Sequence, residues 1–436
     1  MMKHIYFYII FYLIAQQSLL GQRILFNSFN TDNGLSGSQV YSLLQDKTGF
    51  IWIGTDNGLN RFDGKEFKVY KKQQNNKNSI SDNSIWSLFE DKDGIIWIGT
   101  KEGILNKFDP VKEIFTRINL TSKVSSEIGI TSILKDKNGS VWVGTYSQGL
   151  FKYDPSTGAI KNWTGYSNDN FDISNKYITS ILQDKDGYIW ISTYYGLNRI
   201  DPKNISKGFT KYFYNSNDEN SIPNNLIWRV NQSKFDENKL ILGTADGICF
   251  YDCKTEKIKR FNVTPQFPLQ FSKSFATIVE QKIGNENLLW AATYGGLYKI
   301  NLSKGKTEHF IFDKRNQNGL LSNQIDQLLV DRSGVLWIAT DKGLNYHTSK
   351  TQRFNSLLSN FNSDPLLFDL YNSDIKSVLA YDNNNFYLAT SEGLYNLKIS
   401  NYQTSTQKIT SLNTINLWSL EKGLDNKELN RCVLEV

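Results

Sequence analysis

The amino-acid sequence predicts an all-β fold, a β-propeller of four-stranded antiparallel blades. Three observations carry that expectation. A Trp-centred motif recurs eight times along the 436 residues. Within each copy apolar and polar residues alternate with period two, the pattern of strands rather than helices. Gly is four times as frequent as Pro, 30 against 7, which suits many short elements joined by tight turns.

The motif Ile51-Trp52-Ile53-Gly54-Thr55-Asp56-Asn57-Gly58-Leu59 returns as Ile96-Trp97-Ile98-Gly99-Thr100 and onward to Ile104. Further copies centre on Trp142, Trp190, Trp290 and Trp337, and two degenerate ones on Ile241 and Tyr387. The steps between anchors are 45, 45, 48, 51, 49, 47 and 50 residues, the spacing of propeller blades. Each unit opens with an alternating stretch such as Val40 to Leu44. An Asp-x-x-Gly follows (Asp46/Gly49, Asp91/Gly94, Asp136/Gly139, Asp184/Gly187, Asp331/Gly334), which suits a type I turn between antiparallel strands. The Trp strand comes next and is expected as an inner strand packed on both faces. Thr-x-x-Gly then makes a second turn, a third strand such as Leu59 to Asp63 follows, and a weaker aromatic strand such as Phe67 to Tyr70 closes the unit.

Trp52, Trp97, Trp142, Trp190, Trp290 and Trp337 are therefore the structural core of the repeat, each filling the space between neighbouring sheets. Ile24 to Phe29 reads as an outer strand with no blade before it, so it is expected to complete the blade of Trp337 and close a seven-bladed ring. An eight-bladed single ring is the competing count. The domains expected are a leader at 1–22, a seven-bladed ring at 23–355 and, at 356–436, the first blade of a second propeller cut short in a ninth copy after Lys422-Gly423-Leu424.

Residues 1–22 read as a secretory signal peptide. Lys3 and His4 precede eleven apolar residues, Ile5 to Ala15, which as a helix would rise about 16 Å, half of a hydrocarbon core. The small Gly21 suits a cleavage site, and no Cys lies near it for a lipid anchor. No later apolar run is long enough to span a membrane, and the mean hydropathy of -0.43 excludes a polytopic membrane protein. A net charge of +6 over this length gives no nucleic-acid footprint. Cys249 and Cys253 on one strand would stand about 13 Å apart, beyond disulfide reach, and Cys432 is remote.

The unit Asp-x-x-Gly-x-x-Trp-Ile-Gly-Thr-x-x-Gly-Leu-x-x-x-Asp resembles the two-component regulator propeller repeat, and the resemblance runs through residues 24–436. It implies the periplasmic sensor region of a hybrid two-component receptor, with a membrane helix, a histidine kinase and often a response regulator beyond the propellers. It also implies recognition of extracellular nutrients, often oligosaccharides, and self-association as a receptor dimer is expected with it. This chain stops before any such membrane or kinase segment.

The residues themselves offer little catalytic chemistry. The Asp-Lys-Asp-Gly turns at Asp91 and Asp184 lack the later ligands of a calcium loop. His309 and His347 stand alone, with no metal-ligand spacing, and no nucleophile elbow, zinc helix or phosphate loop occurs. No enzyme, cofactor or metal is expected; a secreted propeller lyase or glycosidase and a protein-binding scaffold are the alternatives. One subset points to binding. Tyr146, Tyr194, Tyr195 and Tyr294 occupy the second turn, where other copies carry Asp, Lys or Glu, and Tyr41, Trp86 and Trp228 occupy the outward position of the first strand. Both positions open on one face of a propeller, where rings can stack on sugar faces, with Ser147 and Gln148 beside them for hydroxyls.

Overall fold

The computed structural model describes residues 24–121, 128–167, 169–261, 274–316 and 318–348, and the backbone of four later strands. Residues Leu25–Ser349 form one compact unit. Within it seven four-stranded antiparallel sheets follow one another as a ring. In blade 1 the strands are Val40–Gln45, Ile51–Thr55, Gly58–Phe62 and Phe67–Tyr70, counted from the axis outward. The first strands of blades 2 to 7 are Ile85–Glu90, Ile130–Lys135, Ile178–Gln183, Ile227–Gln232, Phe275–Ile283 and Ile325–Val330. Each touches the first strand of the next blade, and the last touches that of blade 1, so these strands line the axis. A second unit holds one further four-stranded sheet, Ile375–Ala380, Asn385–Thr390, Gly393–Ser400 and Lys408–Ile415. No described helix is long and apolar enough to cross a membrane.

Ring closure follows the expectation from Ile24 to Phe29. Asn27–Phe29 pairs with Gly343–His347 as the outer strand of the blade that holds Trp337. Asn345 Nδ2 donates to Asn27 O at 3.3 Å, and a His347 ring nitrogen meets Leu25 O at 3.0 Å. Phe29 stacks on Tyr346. The leader at 1–22, the boundary at 355, Cys432 and the start of a ninth copy lie outside the described residues.

The Trp strands lie inside their sheets as expected: each is the second of four strands and so is hydrogen-bonded on both edges. Each indole is buried and packs onto the following blade. Trp52 meets Ile85, Ile96 and Phe108; Trp142 meets Ile178, Ile189 and Ile191; Trp190 meets Ile227, Leu240 and Leu242; Trp337 meets Val40, Leu43 and Ile53. At 150–250 Å² apiece such burial contributes about 4–6 kcal/mol of transfer free energy.

The Asp of each first turn does two things at once. Asp46 Oδ1 accepts from Gly49 N at 2.8 Å and Phe50 N at 3.0 Å, which shapes the turn, while Oδ2 accepts from Trp52 Nε1 at 2.7 Å. The same carboxylate–indole bond recurs at Asp91–Trp97, Asp136–Trp142, Asp184–Trp190 and Asp331–Trp337, at 2.7–3.0 Å. A buried indole N–H left unpaired would cost about 1–3 kcal/mol, so the turn residue and the core residue are one unit.

Candidate functional site

One end of the ring is built from two sets of positions. The first set lies on the inner strands. Every inner strand breaks register at its second residue: Tyr41, Trp86, Thr131, Thr179, Trp228, Ala276 and Asp326 all fall between two regular pairs. A β-bulge re-aims the side chain of the extra residue, here toward the mouth of the ring. The second set starts the turn after the Trp strand: Asp56, Lys101, Tyr146, Tyr194, Ala245, Tyr294 and Asp341. In blades 1 to 5 the backbone N–H of this residue donates to the residue just before the inner strand, as Tyr146 N does to Gly129 O at 2.9 Å and Tyr194 N to Tyr177 O at 3.1 Å. The two positions of a blade therefore sit side by side.

Read together, they obey a simple rule. Blades 1, 2 and 5 place an aromatic ring at the bulge and a small or charged residue at the turn; blades 3, 4 and 6 do the reverse. At these two positions each of six blades thus gives one ring to the mouth. These rings touch in order: Tyr41–Trp86 at 6.1 Å between centroids, Trp86–Tyr146 at 6.4 Å, Tyr146–Tyr194 at 6.3 Å, Tyr194–Trp228 at 5.8 Å and Trp228–Tyr294 at 5.9 Å. Most meet edge to face, the arrangement that aromatic quadrupoles favour. Tyr146 and Tyr294 keep 43% and 41% of their surface exposed.

Neighbours fix the rings in place. Trp228 Nε1 donates to Ser274 Oγ at 2.8 Å, and Tyr41 OH donates to Gln39 Oε1 at 3.0 Å. Trp86 lies so close over Gly129 that a Cβ there would fall 2.2 Å from the ring. The crossing loops behind the rim are tied down by a third-strand Asn: Asn60 accepts from Ser36 N, Asn106 from Ser81 N and Asn198 from Ser174 N, at 2.9–3.0 Å.

The seventh blade breaks the rule with two carboxylates, Asp326 at the bulge and Asp341 at the turn. Asp326 Oδ2 and Asp341 Oδ1 are buried and have no hydrogen-bond partner. Burial, and then the Asp341 charge, push the Asp326 carboxyl up to about 6 against a bond from Gln39 that lowers it. Tyr41 and Tyr294 flank this pair. Burial raises both phenols, with the charge of Asp326 adding to it, and burial pushes Tyr194 up to about 12. Tyr41, Tyr194 and Tyr294 are therefore neutral hydrogen-bond donors at ordinary pH.

Of the residues singled out in the sequence, Tyr41, Trp86, Tyr146, Tyr194, Trp228 and Tyr294 come together in this arc. Tyr195 does not: it leans away against Phe213 at 5.5 Å, on the flank of blade 4. The reason is local, since residues 194 and 195 follow one another through a turn and cannot face the same way. Ser147 and Gln148 stand at the turn of blade 3, and Gln148 N donates to Thr145 Oγ1. The sequence reading missed Tyr177, which stacks on Tyr194 at 5.2 Å, and the acid pair. Alignment of Asp326 with Tyr41 and Trp86 holds the signal for the latter. Among the described residues no group of three or more His, Cys, Asp or Glu could hold a metal ion. Cys249 and Cys253 are free.

Fold and rim together define a seven-bladed β-propeller with a ringed mouth. Five segments, 34–57, 79–102, 125–147, 172–195 and 319–342, match the family described as two component regulator propeller. These five segments are thus two component regulator propeller repeats. Its fold is similar to the extracellular domains of two Bacteroides thetaiotaomicron proteins. One is described as a hybrid two component system (20% identity, TM-score 0.61, 91% of this chain and 50% of that one). The other is described as a one component system (21% identity, TM-score 0.58, 89% and 48%). A streptogramin B lyase shares the fold at 16% identity and TM-score 0.54, over 74% of this chain and 97% of that one. A 46-residue stretch is 52% identical to histidine kinase P4 of Formosa agariphila, covering 11% of this chain and 3% of that protein. The chain spans about half the length of the two Bacteroides domains.

Proposed function

We propose that this ring is the ligand-sensing part of an exported two-component receptor, working in the periplasm as a binding module that informs a histidine kinase, and that its ligand is an oligosaccharide bound at the aromatic mouth. The observation that carries the reading is the contribution of one ring per blade by six successive blades. A core needs no such rule at a solvent-facing rim, whereas a chain of sugar rings is matched by a curved series of aromatic faces. The rim phenols, Asp326 and Asp341 supply the polar groups that fix hydroxyls. Binding signals only if the ligand prefers one receptor arrangement, such as one form of a dimer, over another.

The test is a thermal-shift screen of oligosaccharides followed by calorimetric titration of the parent and of Tyr146→Ala/Tyr194→Ala. The double variant should lose the binding that the parent shows while keeping its circular dichroism spectrum. Unchanged affinity would remove the mouth from consideration.

A further inference from the structure

We infer that the saccharide at the mouth carries an acidic group and that Arg229 is the residue that receives it; this rests on the mouth being the saccharide site. Arg229 follows the bulged Trp228 on the inner strand of blade 5. The same position in the other blades holds Ser42, Ser87, Ser132, Ser180, Thr277 and Gln327. Four of these hand an oxygen to the free edge of the next inner strand: Ser132 Oγ accepts from Ile181 N at 2.9 Å, Ser180 Oγ from Val230 N at 2.9 Å, Thr277 Oγ1 from Leu328 N at 3.4 Å and Gln327 Oε1 from Leu43 N at 3.0 Å. The position therefore lies on the axial edge, one residue beneath the rim.

A guanidinium cannot accept a hydrogen bond, so Arg229 cannot do what its counterparts do. Arg229 is partly exposed, but its Nε is buried without a partner, and no ion pair from it to a carboxylate is seen among the described residues. Burial alone draws its pKa down, and no opposing charge restores it. Arginine stays charged nevertheless, and an Nε–H shut off from water without an acceptor is costly. A bound carboxylate or sulfate would remove that cost, because the planar fork of N–H groups matches two acid oxygens.

The neighbourhood sets the direction in which such a ligand lies. Trp228 is held by Ser274 and bracketed by Tyr194 and Tyr294, so a sugar ring on this indole has Arg229 about 3.3 Å farther along the strand. On the other side of Tyr294, the unpartnered oxygens of Asp326 and Asp341 accept hydroxyls and repel an acid. The acidic group points to blade 5 and the hydroxyls to blade 7.

Two measurements on Arg229→Gln decide the matter. Without ligand, the variant should melt higher than the parent, since it lacks the buried, unpartnered Nε–H of the guanidinium. Sodium sulfate, titrated against sodium chloride at matched ionic strength, should then raise the parent's melting temperature by more than the variant's; the general salting effect of sulfate acts on both and cancels. A variant that melts lower, with an equal response to sulfate, overturns the anion site. In the second measurement uronate and sulfated oligosaccharides are compared with their methyl-esterified and desulfated forms. The acidic form should bind the parent roughly 10–100-fold more tightly than the neutral one, with that advantage gone in Arg229→Gln. Neutral and acidic forms binding equally would overturn the acid but leave the mouth site standing. Neutral binding that survives Trp228→Ala would overturn the mouth itself.

Discussion

In blades 1 to 4 and 7 an Asp at the first turn holds the indole of the second strand. Blade 6 reaches the same indole contact differently: Gln281 Oε1, on an inner strand extended to Ile283, accepts from Trp290 Nε1 at 2.7 Å. Blade 5 has no indole on its second strand, and Ile241 fills the space against Phe275, Ile278 and Leu289. The five segments that match the repeat family fall in the first group of blades and none in the second. The difference shows what the fold requires. It needs a filled gap between sheets and a satisfied donor, and it tolerates any residues that provide both. The two blades that depart from the motif also contain Arg229 and the small Ala276, so relaxed repeat constraints and unusual axial residues occur together.

The largest effect is expected at the gap between blades. Trp142→Ala should destabilise the ring by about 3–5 kcal/mol, and Ile241→Ala by about 2–5 kcal/mol, toward the lower end because less volume is emptied. Urea unfolding followed by fluorescence would rank the two; an equal loss would mean that blade 5 is packed as demandingly as blade 3.

Blade 7 is regular in its core and irregular at its rim, and pH separates these features. The Asp326 carboxyl is raised in the folded state to about 6. The native ring therefore holds this proton more tightly than the unfolded chain does. Its contribution to stability is present below about pH 4, is lost as pH rises toward about 6, and amounts to at most about 3 kcal/mol. Asp326→Asn should abolish that fall and exceed the parent in stability at about pH 7. Melting curves at several pH values check it, and parallel profiles would place the carboxylate in water.

Smaller effects are expected at the hydrogen bonds to the indoles. Asp136→Ala strands the indole of Trp142 and also frees Asn138 N and Ser140 N, whereas Gln281→Ala strands Trp290 and the Gly334 carbonyl that Gln281 Nε2 serves at 2.7 Å. Each should cost about 1–3 kcal/mol, the Asp more than the Gln because it also shapes its turn. At the weak end, Tyr195→Ala should change stability by under about 0.5 kcal/mol and leave mouth binding as it was. A loss of saccharide affinity in that variant would extend the site onto the flank of blade 4.

Much of this architecture is legible in the sequence because a period-two pattern bounded by Asp-x-x-Gly and Thr-x-x-Gly leaves few other arrangements. The ring count followed from the unpartnered strand at Asn27–Phe29. Six of the mouth residues could also be picked, since aromatic residues stand out at turn and strand positions that are otherwise polar. What could not be read was set by pairing. The bulge that turns Tyr41 and Trp86 toward the mouth has no residue signature, being a property of register. The second carboxylate oxygen of Asp46 reaches Trp52 only once the hairpin has formed. Arg229 is the one charged residue of its strand, and its lack of an acidic partner becomes apparent only once the blades are packed.

The closure at Leu25 and His347 joins positions 322 residues apart. At translation speeds of about 5–20 residues per second, roughly 16–60 s separate the synthesis of the two partners. Throughout that interval the first segment has no strand to pair with, and blade 7 does not exist. The ring cannot be completed blade by blade as the chain emerges; its last step is a long-range search, the slow kind of contact. An export route that carries unfolded chains across a membrane suits such a protein, because the final contact that would lock it into a wide, rigid ring is also the last to become possible.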